Sequence, residues 1–350
     1  MNPAKLIALY LPQFHAIAEN DQWWGKGFTE WVNVRGATPG FEGHYQPHEP
    51  VSPLEYYDLS NPRAQQMQAH MARRYGIHGF CYYYYWFGGK KLLQTPIETM
   101  LASGRPDLPF CICWANHDWT RAWYGQNKQV LMAQDYSDES MRAFVEDVAP
   151  LLADGRYIRV DQKPMLCVYQ SEEMPDSKRI TDIWRERAHK LSLGELHLVR
   201  MEALDWDRDP ATLGFDAAVE FAPDWRMAGQ LLNPGQQPRR VDYKTTVTNM
   251  LLKPPAPYTR YHGVFPGWDN SPRYKKAALV FDNASPGVFA YHLENAIRKT
   301  MRNTPDNRLV FINAWNEWGE GCHLEPCRRH GTAWLEACRM ALQRAALHAE

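Results

Sequence analysis

Eight short runs rich in β-branched, aromatic and other apolar residues recur along this chain: KLIALYLPQF, GIHGFCYYYYW, LPFCICWANHD, KPMLCVYQ, LHLVRMEALDW, FDAAVEF, HGVFPGWDN and RLVFINAWNEW. Segments with helical patterning separate them. NPRAQQMQAHMARRY opens with an Asn-Pro start, and SDESMRAFVEDVAPLLADG carries a Ser cap and a Gly stop. Parallel strands need a long crossover, usually a helix, so strand and helix in alternation predict a parallel sheet. Eight such units within 350 residues predict an α/β fold of one domain, a (β/α)8 TIM-type barrel over residues 1–350. A doubly wound open sheet is the competing arrangement. The sequence holds neither GxGxxG nor GxxxxGK[ST], the phosphate-cradling loops that often accompany open sheets.

Two long insertions are expected. Residues 224–261, with NPGQQPRR and LLKPPAPY, break the alternation and read as an elaborated loop, not a domain linker. Residues 16–61 follow the first run and contain WWGKGFTEW and EGHYQPHEP. Loops after barrel strands line the catalytic face, so both insertions are expected to wall a substrate groove.

The formal net charge is −1 and the pI about 6.9, so no basic excess draws the chain to nucleic acid or anionic lipid. The clusters ARR, PRR and RYKK read as solvated faces. Seven cysteines, an odd number without paired CxxC motifs, fit a reducing compartment. Cys111 and Cys113 share one side of a strand and are expected to pack as small apolar groups. The run LIALYL is too short for a membrane helix, and the PQFH after it does not resemble a signal cleavage site. The chain is therefore expected to be soluble and cytoplasmic.

Aromatic residues make up 13% of the chain, and many of its 14 tryptophans adjoin polar residues. Flat apolar faces beside hydrogen-bonding groups suit sugar rings. The last run ends in FINAWNEWGEG, which places Glu317 and Glu320 three residues apart between Trp315 and Trp318. On a continuing strand the two carboxylates would face opposite sides. Gly319 is expected to let the backbone turn between them. Converging in one pocket, they would repel and differ in solvation, giving the acid and base that glycosidic cleavage requires. The alternative is a surface loop in which they pair with arginines such as Arg328 and Arg329.

WNEWGEG, followed by HLEP at 323–326, resembles the signature of glycoside hydrolase family 99. ALYLPQFH, WWGKGFTEW, GFCYYYYWF and WANHDWTRAW, in that order, resemble WbsX-type proteins, which are found among bacterial polysaccharide (lipopolysaccharide, O-antigen) genes and often labelled glycosyltransferases. The resemblance implies a (β/α) barrel and retaining, endo-acting chemistry on an α-linked glycan; attack by the sugar's own 2-oxygen would need an axial 2-hydroxyl, as in mannose or rhamnose units. By motif, Glu317 matches the residue proposed in family 99 to deprotonate the sugar 2-hydroxyl, and Glu320 matches the general acid/base. In that route the 2-oxygen attacks the anomeric carbon and forms a 1,2-anhydro sugar, which water opens. A conventional retaining pair would instead use one glutamate as nucleophile, at a separation of roughly 5 Å. Family 99 proper opens its barrel with a different aromatic motif where this chain has LPQFH, so its mannoside substrate does not carry over.

Further substrate-binding candidates stand at the ends of the runs: Gln13 and His15; Trp114, Asn116, His117, Asp118 and Trp119; Glu220; Trp268 and Asp269; and Trp315, Asn316 and Trp318. Tyr82 to Tyr85 alternate along one strand, so either Tyr83 and Tyr85 or Tyr82 and Tyr84 face the interior. His44 with His48, and His323 with Glu325, have loosely ligand-like spacing without an HExxH motif, and the glutamate chemistry requires no metal or cofactor. Two other functions compete with hydrolysis. One is a sugar-nucleotide-dependent glycosyltransferase, for which DWD at 205–207 weakly satisfies DxD. The other is a non-catalytic glycan-binding barrel.

Overall fold

The computed structural model describes residues 3–121, 126–204 and 207–347, so Asp205 and Trp206 of the DWD stretch and residues 122–125 lie outside the described residues. Its central strands are β1 (Lys5–Tyr10), β2 (Ile77–Phe87), β3 (Phe110–Trp114), β4 (Lys163–Val168), β5 (His197–Glu202), β6 (Ala217–Glu220), β7 (Arg260–Val264) and β8 (Leu309–Ile312). Each pairs in parallel with its successor, and β8 returns to β1 with Lys5 opposite Leu309 and Ala8 opposite Ile312. The sheet is thus closed into a (β/α)8 barrel, and its strands fall in the eight runs read from the sequence. Closure leaves no unpaired edge.

Between β1 and β2 lie α1 (Ala18–Trp24), α2 (Glu30–Arg35) and α3 (Pro62–Arg74). α3 starts where Asn61 accepts a hydrogen bond from the Arg63 amide and Pro62 takes the first position. α4 (Thr95–Ser103), α5 (Asp138–Ala153) and α6 (Ser177–Lys190) cover the next three crossovers. α7 (Tyr243–Leu252) precedes β7, α8 (Ser271–Tyr274) and α9 (Pro286–Thr300) precede β8, and α10 (Ala333–Leu347) follows β8 and packs on α9. The break in alternation therefore does not fall at residues 224–261, which supply α7. It falls between β5 and β6, where a single 3₁₀ turn, Pro210–Leu213, makes the crossover. That turn lies directly on α6, since a Cβ on Gly214 would sit 1.9 Å from Thr181 Oγ1.

Register decides which tyrosines face inward. Tyr83 and Tyr85 point into the barrel mouth, while the Tyr84 hydroxyl reaches outward to Asp147 at 2.5 Å. Below Tyr83, the thiols of Cys81, Cys111 and Cys167 lie within 4.8 Å of one another, all buried. On the outer side, Lys253 Nζ sits 3.2 Å from Glu220, 2.8 Å from Asp224 and 3.8 Å from Glu202, and Arg260 Nε lies 2.9 Å from Glu202. No helix among the described residues is long and apolar enough to cross a membrane.

Candidate active site

Beyond β8 the chain forms a two-residue antiparallel ladder, Asn316–Glu317 against Cys322–His323, around one turn of 3₁₀ helix, Trp318–Glu320. Gly321, at φ 58°, closes the turn in the left-handed region that glycine favours. The turn, and not a free hinge at Gly319, brings Glu317 and Glu320 to the same side. Gly319 has a different role. A Cβ there would lie 2.0 Å from Glu30 Oε1 and 2.9 Å from Arg273 Nε. Only glycine lets α2 bring Glu30 against the turn.

Arg273, from α8, meets three carboxylates at once. Its Nε donates to Glu30 at 2.9 Å, Nη2 to Glu317 at 2.9 Å, and Nη1 lies 2.7 Å from Glu320. A planar guanidinium presents donors along three edges, which a lysine ammonium cannot reproduce. One positive charge thus faces three carboxyl groups in a largely buried setting. Burial pushes Glu317 and Glu320 up, outweighing the pull of Arg273, and the neighbouring carboxylates add to the effect. Glu320 is raised to about 8, so its carboxyl holds a proton at neutral pH. The glutamates therefore pair with an arginine from the RYKK cluster, not with Arg328 or Arg329, and Arg273 does not belong to a solvated face.

The glutamates line a cavity of about 440 Å³ to which loops from all eight strands contribute. Gln13, His117, Asp118, Trp119 and Trp268 line it too, with Tyr83, Tyr85, Tyr169, Phe221, Trp225 and Tyr274 among its rings. The rings buttress one another: Tyr85 and Trp119 meet edge-on at 5.1 Å, and Trp225 and Trp268 at 5.0 Å. Gln13 donates to the Tyr85 hydroxyl at 3.2 Å, and Asp118 accepts from the Gln134 amide at 2.7 Å.

The other sequence candidates do not line this cavity. Trp315 and Trp318 stand behind the glutamates, fully buried, and donate to the two oxygens of Glu325 at 2.9 and 2.6 Å. Glu325 also accepts from Tyr57 and Gln68, and its burial raises it to about 7. Asn316 is a clamp, accepting from the Leu11 amide at 2.8 Å and donating to the Leu11 carbonyl at 3.0 Å. Asn116 does the same for Gln170, at 2.8 and 2.7 Å. Trp114 faces the helix layer against Phe144 and Trp184. Glu220 belongs to the outer ion cluster, where burial is overcome by His262 and Lys253 and its carboxyl falls to about 2. Asp269 accepts from Gln46 and pairs with His44 in a neighbouring cavity, and His15 is buried outside the glutamate cavity. Arg273 and Tyr169 are not among the sequence candidates, whereas Glu30, with Trp23, Trp24 and Trp31, reads equally as part of an aromatic platform or as helix packing, and Trp24 lines the cavity. Glu30 sits in WWGKGFTEW, and Arg273 follows Asp269 by four residues in a stretch read for its charge alone.

Carboxylate pair and aromatic cavity stand together at one face of the barrel, and the fold itself is one found among glycoside hydrolases. A GH99 endo-α-mannosidase from Bacteroides thetaiotaomicron shares the fold with a TM-score of 0.64 at 12% identity, over 98% of this chain and 97% of that one. A glycoside hydrolase-like protein does so at 0.61 and 14% identity, over 98% and 94%. The chain belongs to the WbsX glycosyltransferase family, whose pattern matches residues 6–338. It is 43% identical to the protein WxcX of Xanthomonas campestris pv. campestris, in two strains, over 98% of its own length. It spans about half the length of those curated relatives, 50%. Family and fold together suggest a carbohydrate-active enzyme.

Proposed function

We propose that this barrel cleaves, or transfers from, an α-linked glycan with retention, with Glu320 as general acid/base and Glu317 as base toward the substrate's 2-hydroxyl. The observation that carries the reading is the shared Arg273 fork. It holds both glutamates on one side of an aromatic-lined cavity while burial keeps Glu320 protonated at neutral pH. In the forward step Glu320 gives its proton to the departing oxygen as Glu317 draws the proton from the 2-hydroxyl, and the 2-oxygen closes on the anomeric carbon. Water then attacks the anomeric carbon and breaks its bond to the 2-oxygen, the ionised Glu320 taking the water's proton while Glu317 returns its own to the 2-oxygen. Holding the two oxygens in line replaces a bimolecular encounter by a positioned one. The cavity's breadth, with rings from several loops, favours endo action on a chain of sugars.

The family's glycosyltransferase label keeps transfer from a sugar nucleotide as the second reading. Against it, the described lining offers one guanidinium, already engaged, beside Asp118, Glu317 and Glu320. That leaves no spare cation among the described lining residues to bind a diphosphate.

The test uses sugars with an axial 2-hydroxyl at the cleaved unit, α-manno or α-rhamno. These should be hydrolysed, and their 2-deoxy analogues should bind without turnover. A 2-fluoro sugar that leaves an ester on Glu317, seen by mass spectrometry, would show direct nucleophilic attack and exclude the 2-oxygen route.

A further inference from the structure

A second cavity, of about 270 Å³, lies on the other side of Trp268, whose indole walls both. It is built from Arg240 and from residues within 41–48, 266–269, 280–284 and 321–334, which follow β1, β6, β7 and β8, and so opens on the same face of the barrel.

The direction of its internal hydrogen bonds is fixed by chemistry. His323 Nδ1 lies 2.9 Å from the Glu325 carbonyl, and a carbonyl can only accept, so Nδ1 carries the proton. In neutral His323 the other nitrogen is then an acceptor, and it sits 3.0 Å from His48 Nδ1, which must donate. His48 Nε2 is left as a lone pair, and no donor among the described residues is bonded to it. Burial keeps both rings neutral, lowering His323 well below its usual value and His48 to about 4.

Several other polar groups of the lining are engaged with one another. The Gly40 amide donates to His44 Nδ1 at 2.9 Å, so His44 Nε2 donates to Asp269 at 2.7 Å, and Gln46 donates to the same oxygen at 2.6 Å. Arg240 lies 4.0 Å over the Phe41 ring and donates to Asp282 at 2.5 Å. Arg240 and Arg329 face Glu42, Asp269 and Asp282, so neither sign of ligand charge is selected. Open groups include an acceptor nitrogen on His48 and the buried indole N–H of Trp268, which has no partner among the described residues, set among aromatic faces in a space suited to one sugar ring.

We propose that this cavity is a second carbohydrate site, holding an uncharged sugar unit whose hydroxyl donates to His48 Nε2. It rests on the reading of the first cavity as a glycan site and extends it, the two cavities taking units of one chain on either side of Trp268.

Protein carrying Glu317→Gln and Glu320→Gln, which cannot cleave, is titrated with α-linked manno- and rhamno-oligosaccharides of one to four units and crystallised with the longest. Sugar density in the second cavity is expected, together with a change in the ¹⁵N resonance of His48 Nε2. Adding His48→Phe should lower affinity for the tetrasaccharide about ten-fold, the loss of one hydrogen bond, and affinity for the monosaccharide far less. Density confined to the first cavity, with His48 unmoved, overturns the proposal even if the wild-type protein cleaves these glycans. Density in the second cavity with no cleavage by the wild type upholds the site and removes the proposed activity. Density in neither, in crystals where neither sugar series binds, removes both.

Discussion

Among single residues, Glu320 carries the sharpest consequence. A general acid matters most when the departing oxygen is a strong base, so Glu320→Gln should cost natural glycans about 10²–10⁴-fold in kcat and activated aryl glycosides much less. Equal losses on both would remove the role. In the proposed role Glu320 acts in its protonated form, and since it is raised to about 8, wild-type kcat/KM should fall as pH climbs through 8. That limb should vanish in the variant. Arg273→Lys should be nearly as damaging as loss of a catalytic group, since one ammonium cannot serve Glu30, Glu317 and Glu320 together. Wild-type-like rates in that variant would show the fork to be dispensable. The glutamate pair was legible because its motif is contiguous. Arg273 and Glu30 were not, because a side chain's charge says nothing of its partners when they come from helices hundreds of residues apart. The indoles beside the glutamates misled in the opposite sense: adjacent in sequence, Trp315 and Trp318 are turned away from the cavity by their bonds to Glu325.

At the level of elements, α2 meets the Trp318–Glu320 turn so closely that a Cβ on Gly319 would lie 2.0 Å from Glu30 Oε1. Gly319→Ala would drive a methyl into Glu30, and the turn or α2 must shift. A loss of about 2 kcal/mol and of most activity is expected, in line with overpacked sites elsewhere. Glu30→Ala combined with Gly319→Ala should regain stability relative to Gly319→Ala alone, measured by urea denaturation, while activity stays low. No regain would place the clash elsewhere. The eight strands were readable because strands buried on both faces are near-continuous apolar runs, as in FCICW of β3. Which crossover would lack a helix was not, because Pro- and Gly-rich composition marks 224–261 while the short 203–216 is fixed by its docking on α6. Nor could alternation alone choose Tyr83 and Tyr85 over their neighbours, since that depends on the register with β1 and β3.

For the molecule as a whole, the buried acid opposes folding at high pH. The native state holds the Glu320 proton up to about 8, whereas the unfolded chain releases it near 4.5, as a free glutamate does. The native state therefore binds more protons in this window, and stability is complete below 4.5 and lost as pH rises through 8. Glu317 and Glu325, both raised, act in the same direction. Glu320→Gln abolishes one such term, so its Tm relative to wild type should increase between pH 5 and pH 8, by on the order of 5 °C. A flat difference across that range would mean that Glu320 ionises freely in the folded protein. The Asn316 clamp has a further consequence. The Leu11 amide is held by a side chain of the catalytic loop and not by a neighbouring strand, so it is released whenever that loop lifts, even while the barrel stays shut. Its deuterium uptake, compared with that of the Ile7 and Ala8 amides within β1, separates breathing of the reaction centre from breathing of the scaffold.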